Sequence, residues 1–443
     1  MENYQNYFKN KKIIIMGLGL LGRGIGVAKF LSKLGANLLI TDLKTEQQLA
    51  SSLKELKNCK NIKYILGQHR LEDFHQADIL IKAANVPLDS IFLAEARKNN
   101  ISIEMDASLF AKFTKAKIIG ITGTRGKSTV TKLIYELLKK YYKKGKVFLG
   151  GNVRGLATLP LLEKVEDNDV VVLELDSWQL QGFGESKISP QIAVFASFLN
   201  DHMNYYKNDM QKYFDDKAEI FRYQSPNDFL IMSKQANQEI KKRLKGKIKS
   251  KTIIADENKI KNLKTILIGA HNQTNIALAY EVLKIMKLKE KDIKNGIKSI
   301  KPEPGRLEFI GKIKNINYYN DNNATTPDAC IAALKALNKN NIVLICGGAD
   351  KELKFEEMVQ TIKKTAKAVV FIQGTATDKI LNILPKDFPK YIIVDSMQLA
   401  IKEARGFAKN NDIILLSPGT ASFGVFKNEY DRGDQFVKYV RSR

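Results

Sequence analysis

The stretch IIGITGTRGKST, residues 118–129, predicts the fold more clearly than any other part of the chain. An apolar, largely β-branched run enters a glycine-rich turn, and an amphipathic stretch over 128–142 follows at once, which predicts a strand, a loop and a helix. Backbone N–H groups in such a turn and at the start of the helix bind phosphate. Lys127 adds a full positive charge, and the Ser128 hydroxyl can bind Mg²⁺. The spacing is shorter than in the common phosphate loop, but all the parts agree, and we predict a phosphate-binding loop.

Short apolar runs followed by turns or amphipathic stretches recur on both sides of this loop. This alternation is typical of parallel α/β sheets. The predicted strands lie at 12–16, 37–41, 62–66, 79–82 and 101–104, then at 118–122, 147–149, 170–175 and 192–198, and finally at 341–346, 368–372, 391–394 and 412–416. We therefore predict an α/β protein of three consecutive domains: a Rossmann-like domain over 1–115, a central P-loop domain with a parallel sheet over 116–300, and a second Rossmann-like domain over 301–443.

Composition narrows the class of protein. The chain of 443 residues has 44% hydrophobic and 27% charged residues, as is ordinary for a globular protein of several domains. No run approaches the roughly 20 apolar residues of a membrane helix, so we expect no membrane insertion and a cytoplasmic location. The three cysteines, Cys59, Cys330 and Cys346, lack metal-site spacing and are expected to be buried thiols.

The net charge of +25 raises the possibility of a nucleic-acid-dependent ATPase. Only 12 of the 72 basic residues are Arg, and the lysines are scattered among acidic residues in amphipathic stretches. Nucleic-acid surfaces favour Arg and interleaved aromatic residues, so a solvated lysine-rich surface without a nucleic-acid partner is the favoured interpretation. Phosphate-rich small substrates benefit from the same positive field.

Two further residues are candidates for metal binding. Glu174 ends the apolar run 170–175, and the carboxyl ends of parallel strands are where ligands bind in such sheets. His202 follows Asp201 just past another apolar run. A single His is usually structural, but its place after a strand favours a ligand role. Mg²⁺ prefers oxygen ligands, and one imidazole among them is unusual but tolerable.

The N-terminal stretch GLGLLGRG, residues 17–24, resembles a dinucleotide fingerprint. Asp42 follows the glycines by about 20 residues, where a dehydrogenase binds ribose. A nicotinamide-dependent dehydrogenase is therefore a second hypothesis for this domain, and the ATP-binding motif downstream argues against it.

Taken in order, the motifs of the chain resemble those of the Mur ligase family. The similar stretches are TGTRGKST (122–129), GGN (150–152), ELDSWQL (174–180), LNDHMNYY (199–206), HNQTN (271–275), GRLEF (305–309), NDNNAT (320–325), GGADK (347–351) and LSPGTASFGVFKNEYDRGDQF (416–436). The resemblance implies an ATP-dependent ligase of peptidoglycan precursor synthesis, and hence a role in cell-wall biogenesis, cell shape and cell division. In this reaction D-glutamate is joined to UDP-N-acetylmuramoyl-L-alanine through an acyl-phosphate. The first domain would bind the UDP substrate, the central domain ATP, and the third domain the amino acid and ATP.

The resemblance also implies roles for individual residues. Lys217 would be a carbamylated lysine that holds the second of two Mg²⁺ ions. The implied metal ligands are Ser128, Glu174, His202 and Lys217, and the catalytic set is Lys127, Glu174, His202 and Lys217. ATP would contact Gly123, Thr124, Gly126, Lys127, Ser128, Thr129, Asn275, Arg306 and Asp321. The UDP substrate would contact Leu20, Leu21, Asp42, Lys44, Asn152 and Gln179, and the amino acid would contact Thr325, Lys351, Ser422 and Phe423. The implied enzyme is a monomer with small-molecule substrates.

Three positions depart from the pattern of the family. Asn323 stands where Lys is usual, Glu429 follows Lys427-Asn428 where an aromatic residue is usual, and Arg125 replaces the Asn of the phosphate loop. The first two lie near the expected amino-acid pocket. They leave open a family member that uses L-glutamate, alanine or a diamino acid, and a folate-polyglutamate ligase is a further alternative.

Overall fold

The computed structural model describes residues 3–261, 263, 265–337 and 340–442, and of Glu429 only the backbone. Contacts divide the chain into two compact units. The first comprises the residues up to Leu199 with Asp209–Lys259 and Asn275–Lys294, and the second comprises Asn200–Asn208, Ile260–Thr274 and Asn295–Arg443. Two parallel sheets lie in the first unit and a mixed sheet in the second. The predicted α/β class with three sheets is confirmed.

The first sheet is parallel, with the order β3-β2-β1-β4-β5. Its strands are β1 (Lys12–Met16), β2 (Asn37–Asp42), β3 (Ile62–Leu66), β4 (Ile79–Lys82) and β5 (Ser102–Glu104), and its helices are α1 (Tyr4–Phe8), α2 (Arg23–Lys33), α3 (Glu46–Leu56), α4 (Ile91–Lys98) and α5 (Asp106–Phe113). The strand order reverses between β1 and β4, where Met16 is paired with Lys82. In open α/β sheets, ligands bind outside the carboxyl ends of the strands at this reversal.

The second sheet is also parallel, with the order β11-β10-β9-β6-β8-β7. Its strands are β6 (Lys117–Thr122), β7 (Val147–Gly151), β8 (Val170–Glu174), β9 (Ile192–Phe195), β10 (Phe229–Met232) and β11 (Lys251–Ile254). Strand β6 therefore lies between β8 and β9. The carboxyl ends of these three central strands surround the phosphate loop.

The helices that lie between β6 and β12 (Glu308–Ile313) in the sequence vary in length. They are α6 (Lys127–Tyr141), α7 (Ser177–Glu185), α8 (Met203–Tyr206), α9 (Met210–Arg222), α10 (Lys234–Arg243), α11 (Ala270–Ile285) and α12 (Glu290–Ser299). Helix α7 begins with a capping box in which the Asp176 side chain accepts from the Gln179 amide at 2.8 Å. Helix α7 is thereby fixed directly after β8, which carries Glu174.

The third sheet has the order β12-β13-β17-β14-β15-β16, in which only the β12–β13 hairpin is antiparallel among the described strand pairs. Its strands are β12 (Glu308–Ile313), β13 (Ile316–Asn320), β14 (Ile342–Gly347), β15 (Ala366–Ile372), β16 (Lys390–Val394) and β17 (Ile413–Leu416), and its helices are α13 (Pro327–Leu337), α14 (Glu356–Thr365), α15 (Thr375–Leu381), α16 (Met397–Phe407) and α17 (Glu429–Arg441). Separate apolar clusters cover its two faces, as expected for a sheet sandwiched between helices.

Each strand predicted from the sequence is present, with ends shifted by up to three residues. The largest shift is at β9, which ends at Phe195; Ser197, which was predicted to lie in this strand, instead bonds the loop after β6. Cys330 and Cys346 are buried, as expected, whereas Cys59 is half-buried. In the part of the chain that the structure describes, no helix has the length and apolar character needed to cross a membrane.

Candidate active site

The loop after β6 is fastened to the end of β9. The Thr124 amide donates to the Ser197 carbonyl at 2.8 Å, and the Arg125 amide and carbonyl both bond the Ser197 hydroxyl, at 2.8 and 2.9 Å. Gly126 has a φ of 90°, which a residue with a side chain adopts only with strain, and it precedes the first turn of α6. The backbone is thus held in the shape of a phosphate-binding turn at the N-terminus of a 15-residue helix.

Asn275 lies directly over this loop. Its side-chain oxygen lies 2.4 Å from the position that a Cβ on residue 126 would take, so a larger residue there would have to displace the Asn275 side chain. Asn275 is buried at the start of the part of α11 that belongs to the first unit. The structure therefore brings this predicted ATP contact to the phosphate loop.

Two lysines that are distant in sequence converge on one carbonyl of the loop. Lys127 Nζ and Lys217 Nζ donate to the Gly123 oxygen at 2.9 and 3.0 Å. Lys217 is only 1% exposed, and its ammonium lies 4.9 Å from the centre of the Tyr213 ring. Both ammonium groups therefore lie within hydrogen-bond reach of the turn in which phosphate would bind.

Ser128 and Glu174 also meet at this turn. The Ser128 hydroxyl donates to Glu174 Oε1 at 3.1 Å, and Glu174 is buried at the end of β8. A hydroxyl and a carboxylate placed side by side beside a phosphate loop form the oxygen-rich donor set that Mg²⁺ prefers. The residues present therefore fit a magnesium ion.

Ser128 and Glu174 supply only part of a magnesium coordination shell. Among the described residues, no group of three or more His, Cys, Asp or Glu is placed to hold a metal ion. Further ligands would have to come from the predicted His202, from phosphate oxygens, from water or from a modified lysine. His202 belongs to the second unit, with a φ of 57°, and its backbone N–H donates to Asp201 Oδ1 at 2.9 Å.

The first sheet presents the residues predicted to contact the uridine nucleotide. Asp42 accepts from the Gly19 amide at 3.0 Å and from the Lys44 amide at 2.9 Å, so its carboxylate joins the glycine loop after β1 to the loop after β2. Leu20 and Leu21 on that loop are about half exposed, which leaves an apolar surface beside the carboxylate. These four residues lie at the carboxyl ends of β1 and β2.

Asn152 and Gln179 are held by structural contacts. Asn152 Oδ1 accepts from Arg23 Nη2 at 3.1 Å, which ties α2 of the first sheet to the loop after β7. The Gln179 side-chain oxygen accepts from the Asp176 amide at 3.3 Å and completes the capping box of α7. The side chain of Gln179 therefore has a structural role in addition to the predicted substrate contact.

The second unit brings together loops at the ends of β13, β17 and β14, which are neighbours in the sheet. Asp321 accepts from the Leu307 amide and the Ser417 hydroxyl, both at 2.9 Å. Arg306 precedes Leu307, so the predicted ATP contacts Arg306 and Asp321 lie on adjoining segments.

The predicted amino-acid contacts lie on the same loops. Ala421 and Ala349 exchange backbone hydrogen bonds at 3.1 Å, which places the segment of Ser422 beside the segment of Lys351. Ser422 is buried and Phe423 is 63% exposed. Thr325 follows the loop in which Asn323 donates to the Pro304 carbonyl at 3.2 Å. The Glu429 side chain lies outside the described residues.

The sequence does not predict two buried cations, one of which, Arg432, holds these loops. Arg432 is fully buried and donates to Asn322 Oδ1 at 2.8 Å, to the Asn322 carbonyl at 3.0 Å and to the Thr420 carbonyl at 3.4 Å. Lys82 is buried at the end of β4. In the sequence, Arg432 lies within the motif 416–436 and Lys82 is the last residue of a predicted strand, and neither position indicates a buried cation.

Comparisons with known proteins give the same assignment along the chain. Family models match residues 11–104 (Mur ligase MurD-like, N-terminal domain), 121–289 (Mur ligase middle domain) and 305–419 (Mur ligase, glutamate ligase domain). The chain is 36% identical over 455 residues to the UDP-N-acetylmuramoylalanine--D-glutamate ligase of Borreliella afzelii, with 98% of each chain covered. It is 32% identical to the enzyme of the same name from Clostridioides difficile, with 98% of this chain and 99% of the relative covered.

Solved structures share the fold at low sequence identity. The UDP-N-acetylmuramate-alanine ligase of Thermotoga maritima matches with a TM-score of 0.63 at 18% identity, covering 97% of this chain and 99% of the other. The folylpolyglutamate synthase of Mycobacterium tuberculosis, solved with ADP, matches with a TM-score of 0.57 at 13% identity, covering 76% of this chain and 93% of the other. At these identities the likeness concerns the fold.

Proposed function

The chain belongs to the Mur ligase family, and from that premise we propose that it joins D-glutamate to UDP-N-acetylmuramoyl-L-alanine at the expense of ATP. It is an ATP-dependent acid–amino-acid ligase, and its cofactor is ATP. Full-length relatives at 30–36% identity carry the name of the D-glutamate ligase, which supports D-glutamate over L-glutamate, alanine or a diamino acid. The folate ligase shares only the fold, at 13% identity.

The observation on which the proposal rests is the Ser128–Glu174 pair beside the phosphate loop, with two lysines bound to the Gly123 carbonyl. In the proposed reaction the terminal carboxylate of the nucleotide substrate attacks the γ-phosphorus of ATP, and ADP leaves with the electrons of the broken P–O bond. The product of this step is an acyl-phosphate. The N-terminus of α6 and the Lys127 ammonium stabilise the charge on the transferring group.

The second step forms the amide. The neutral amine of D-glutamate attacks the acyl carbon, inorganic phosphate leaves, and the amine loses a proton. Lys351, Thr325, Ser422 and Phe423 are proposed to hold the amino acid, with the Lys351 ammonium facing a carboxylate. Asn275, Arg306 and Asp321 are proposed ATP contacts, together with the loop residues Gly123, Thr124, Gly126 and Thr129.

Two Mg²⁺ ions are proposed to bind through Ser128, Glu174, His202 and Lys217. When bound, magnesium neutralises charge on the β- and γ-phosphates. The burial of Lys217 against the loop supports its modification, because a carbamate replaces a buried cation with an anion that can bind a metal. Leu20, Leu21, Asp42, Lys44, Asn152 and Gln179 are the proposed contacts of the UDP substrate.

The division of labour among the sheets is part of the proposal. The matches of the three family models support domain boundaries near 115 and 300, with the UDP substrate on the first domain, ATP on the second, and the amino acid and ATP on the third. We further propose that the enzyme acts as a monomer in the cytoplasm, where ATP and nucleotide-linked precursors are available.

The test is phosphate release from ATP with UDP-N-acetylmuramoyl-L-alanine and Mg²⁺. We expect release with D-glutamate and at most slow release with L-glutamate, alanine or a diamino acid. A folate substrate in place of the UDP-linked one should give none. Turnover with another amino acid, but not with D-glutamate, would show that the Asn323 and Glu429 departures change the specificity.

A further inference from the structure

Lys82 is a buried cation at the point where the strand order of the first sheet reverses. It is 3% exposed, and its ammonium donates to the Val86 carbonyl at 3.1 Å and to Gln181 Oε1 at 3.0 Å. The contact with Gln181 joins the first sheet to helix α7 of the second sheet.

Gln181 also bonds helix α9. Its side-chain nitrogen donates to Asp216 Oδ2 at 2.7 Å, and Gln181 itself is buried. An ammonium can only donate and a carboxylate can only accept, so the two charges fix the orientation of the amide between them. Lys82, Gln181 and the partly buried Asp216 therefore form a polar chain with one direction of donation.

This polar chain ends at Asp216, the residue that precedes Lys217 in the sequence. Asp216 and Lys217 are consecutive on α9, and they face different elements: Asp216 bonds α7, and Lys217 bonds the Gly123 carbonyl of the phosphate loop. A rotation of α9 that loosened the Asp216 contact would also move the Lys217 ammonium. The rotational position of α9 is thus set from the first sheet.

The lowered pKa of Lys82 indicates that this buried lysine does not increase the stability of the fold. Burial lowers the pKa of Lys82 to about 8, and the positive charge of Arg97 on α4 lowers it further. The negative charges of Asp216 on α9, of Asp176 at the N-cap of α7 and of Glu185 at the end of α7 raise it only in part. A buried cation of this kind opposes folding, and groups with perturbed pKa values gather at functional sites.

We propose that Lys82 is a positioning residue, which acts through Gln181 and Asp216 to hold Lys217 at the phosphate loop. The inference rests on the proposed function, because it assigns Lys82 to the same active site. It links the sheet that is proposed to bind the nucleotide substrate to the residue that is proposed to complete the metal site. Its effect belongs to the chemical step and not to substrate affinity.

The first experiment compares Lys82→Met with the wild type. We expect kcat to fall about tenfold or more, because small displacements of a catalytic group have effects of this size. The KM values for ATP and for the UDP substrate should stay within about twofold, since no substrate contact is removed. The melting temperature of the ligand-free protein should not fall. A raised KM with an unchanged kcat would identify a direct substrate contact, and a lowered melting temperature would identify a structural role; either result overturns the proposal.

Lys112→Met is the matched control. Lys112 is a lysine of α5, beside the first sheet, and it donates to the buried Glu104 at 3.0 Å. It is not part of the polar chain of Lys82, Gln181 and Asp216. Its removal should leave kcat unchanged. An equal loss of kcat in both variants would overturn the proposal.

A double-mutant cycle tests the connection itself. Lys82→Met and Asp216→Asn should each lower kcat, and the double variant should lose little more than the worse single variant, because both act through Gln181. The same cycle, measured on the melting temperature of the ligand-free protein, should also be non-additive. Additivity in both measurements would overturn the proposal. An inactive wild type would contradict the proposed function alone. The cycle on the melting temperature of the ligand-free protein would still decide whether Lys82 and Asp216 are energetically coupled.

Discussion

The phosphate loop of the first unit and the loop cluster of the second unit hold their polar groups in different ways. At the phosphate loop, Lys127 and Lys217 share one carbonyl, and Ser128 pairs with Glu174. In the second unit, Arg432 is enclosed by carbonyl and amide oxygens that it joins into one framework. The first arrangement places cations where an anionic ligand would bind, and the second holds loops in place without a ligand. A buried cation in the first unit should therefore affect activity more than stability, and the opposite should hold for Arg432.

The largest effect is expected at the phosphate loop. Lys127→Ala or Glu174→Ala should lower kcat on the order of 10³-fold or more. The first removes a positive charge beside the transferring phosphoryl group, and the second removes a proposed magnesium ligand. The melting temperature should change little. Phosphate release under saturating substrates measures the loss. Lys139→Ala, on the exposed end of the same helix, is the control and should retain full activity; normal turnover of the Glu174 variant would contradict the site.

The pH dependence of stability should separate Lys82 from the other lysines. Its folded-state pKa of about 8 lies below the ordinary value of 10.5. Between these two pH values the unfolded chain binds a proton that the folded chain does not, so the contribution of Lys82 to stability rises with pH. Relative to Lys82→Met, the wild type should gain about 3 kcal/mol in the free energy of unfolding from pH 8 to pH 10.5. Urea unfolding at several pH values measures it, and a constant difference would refute it.

Arg432→Met makes the same kind of substitution in the second unit and should have the opposite effect on stability. It leaves the Asn322 and Thr420 oxygens buried without their donor, so we expect the free energy of unfolding to fall by about 2 kcal/mol. Urea unfolding at pH 7 gives the value. Arg441→Met, on the exposed end of α17, should cost less than about 0.5 kcal/mol. If Arg432→Met were as stable as the wild type while Lys82→Met was destabilised, the contrast between the two units would be wrong.

The smallest effect is expected at Phe423. Its ring is largely exposed, so Phe423→Ala should leave the stability unchanged within about 0.5 kcal/mol. The KM for D-glutamate should rise by about tenfold, the loss of one apolar contact. Initial rates at varied D-glutamate measure it. An unchanged KM would remove Phe423 from the proposed pocket.

The sequence predicted most of the fold because its strands are apolar runs that end in turns. Strands β10 to β13 are not among the strands predicted from the sequence. Strand β10 is a short and mostly buried apolar run, whereas the other three have weaker signals. Strand β12 mixes partly buried and exposed residues, and strand β13 alternates buried and partly buried residues. Their connection is a two-residue turn in which Lys314 and Asn315 both have positive φ. Strand β11 is largely exposed at the sheet edge. Periodicity over four to six residues does not separate such segments from loops.

The phosphate loop could be predicted because its parts are contiguous in the sequence. The contacts of Lys82 and Arg432 could not, because each joins residues that lie about a hundred positions apart: 99 from Lys82 to Gln181, and 110 from Arg432 to Asn322. A buried cation at the end of a strand carries no local pattern. Only the folded chain shows that Gln181 lies between Lys82 and Asp216.

The distribution of thiols has a practical consequence. Burial raises the pKa of Cys330 to about 12 and raises the pKa of Cys346 well above its ordinary value, so neither is expected to form the reactive thiolate near neutral pH. Cys59, half-buried just past α3, is the one remaining cysteine of the sequence. A maleimide dye should therefore label the natural chain at a single known place on the first sheet. Energy transfer from that dye to a fluorescent nucleotide could then follow the chain through its catalytic cycle without any engineered cysteine.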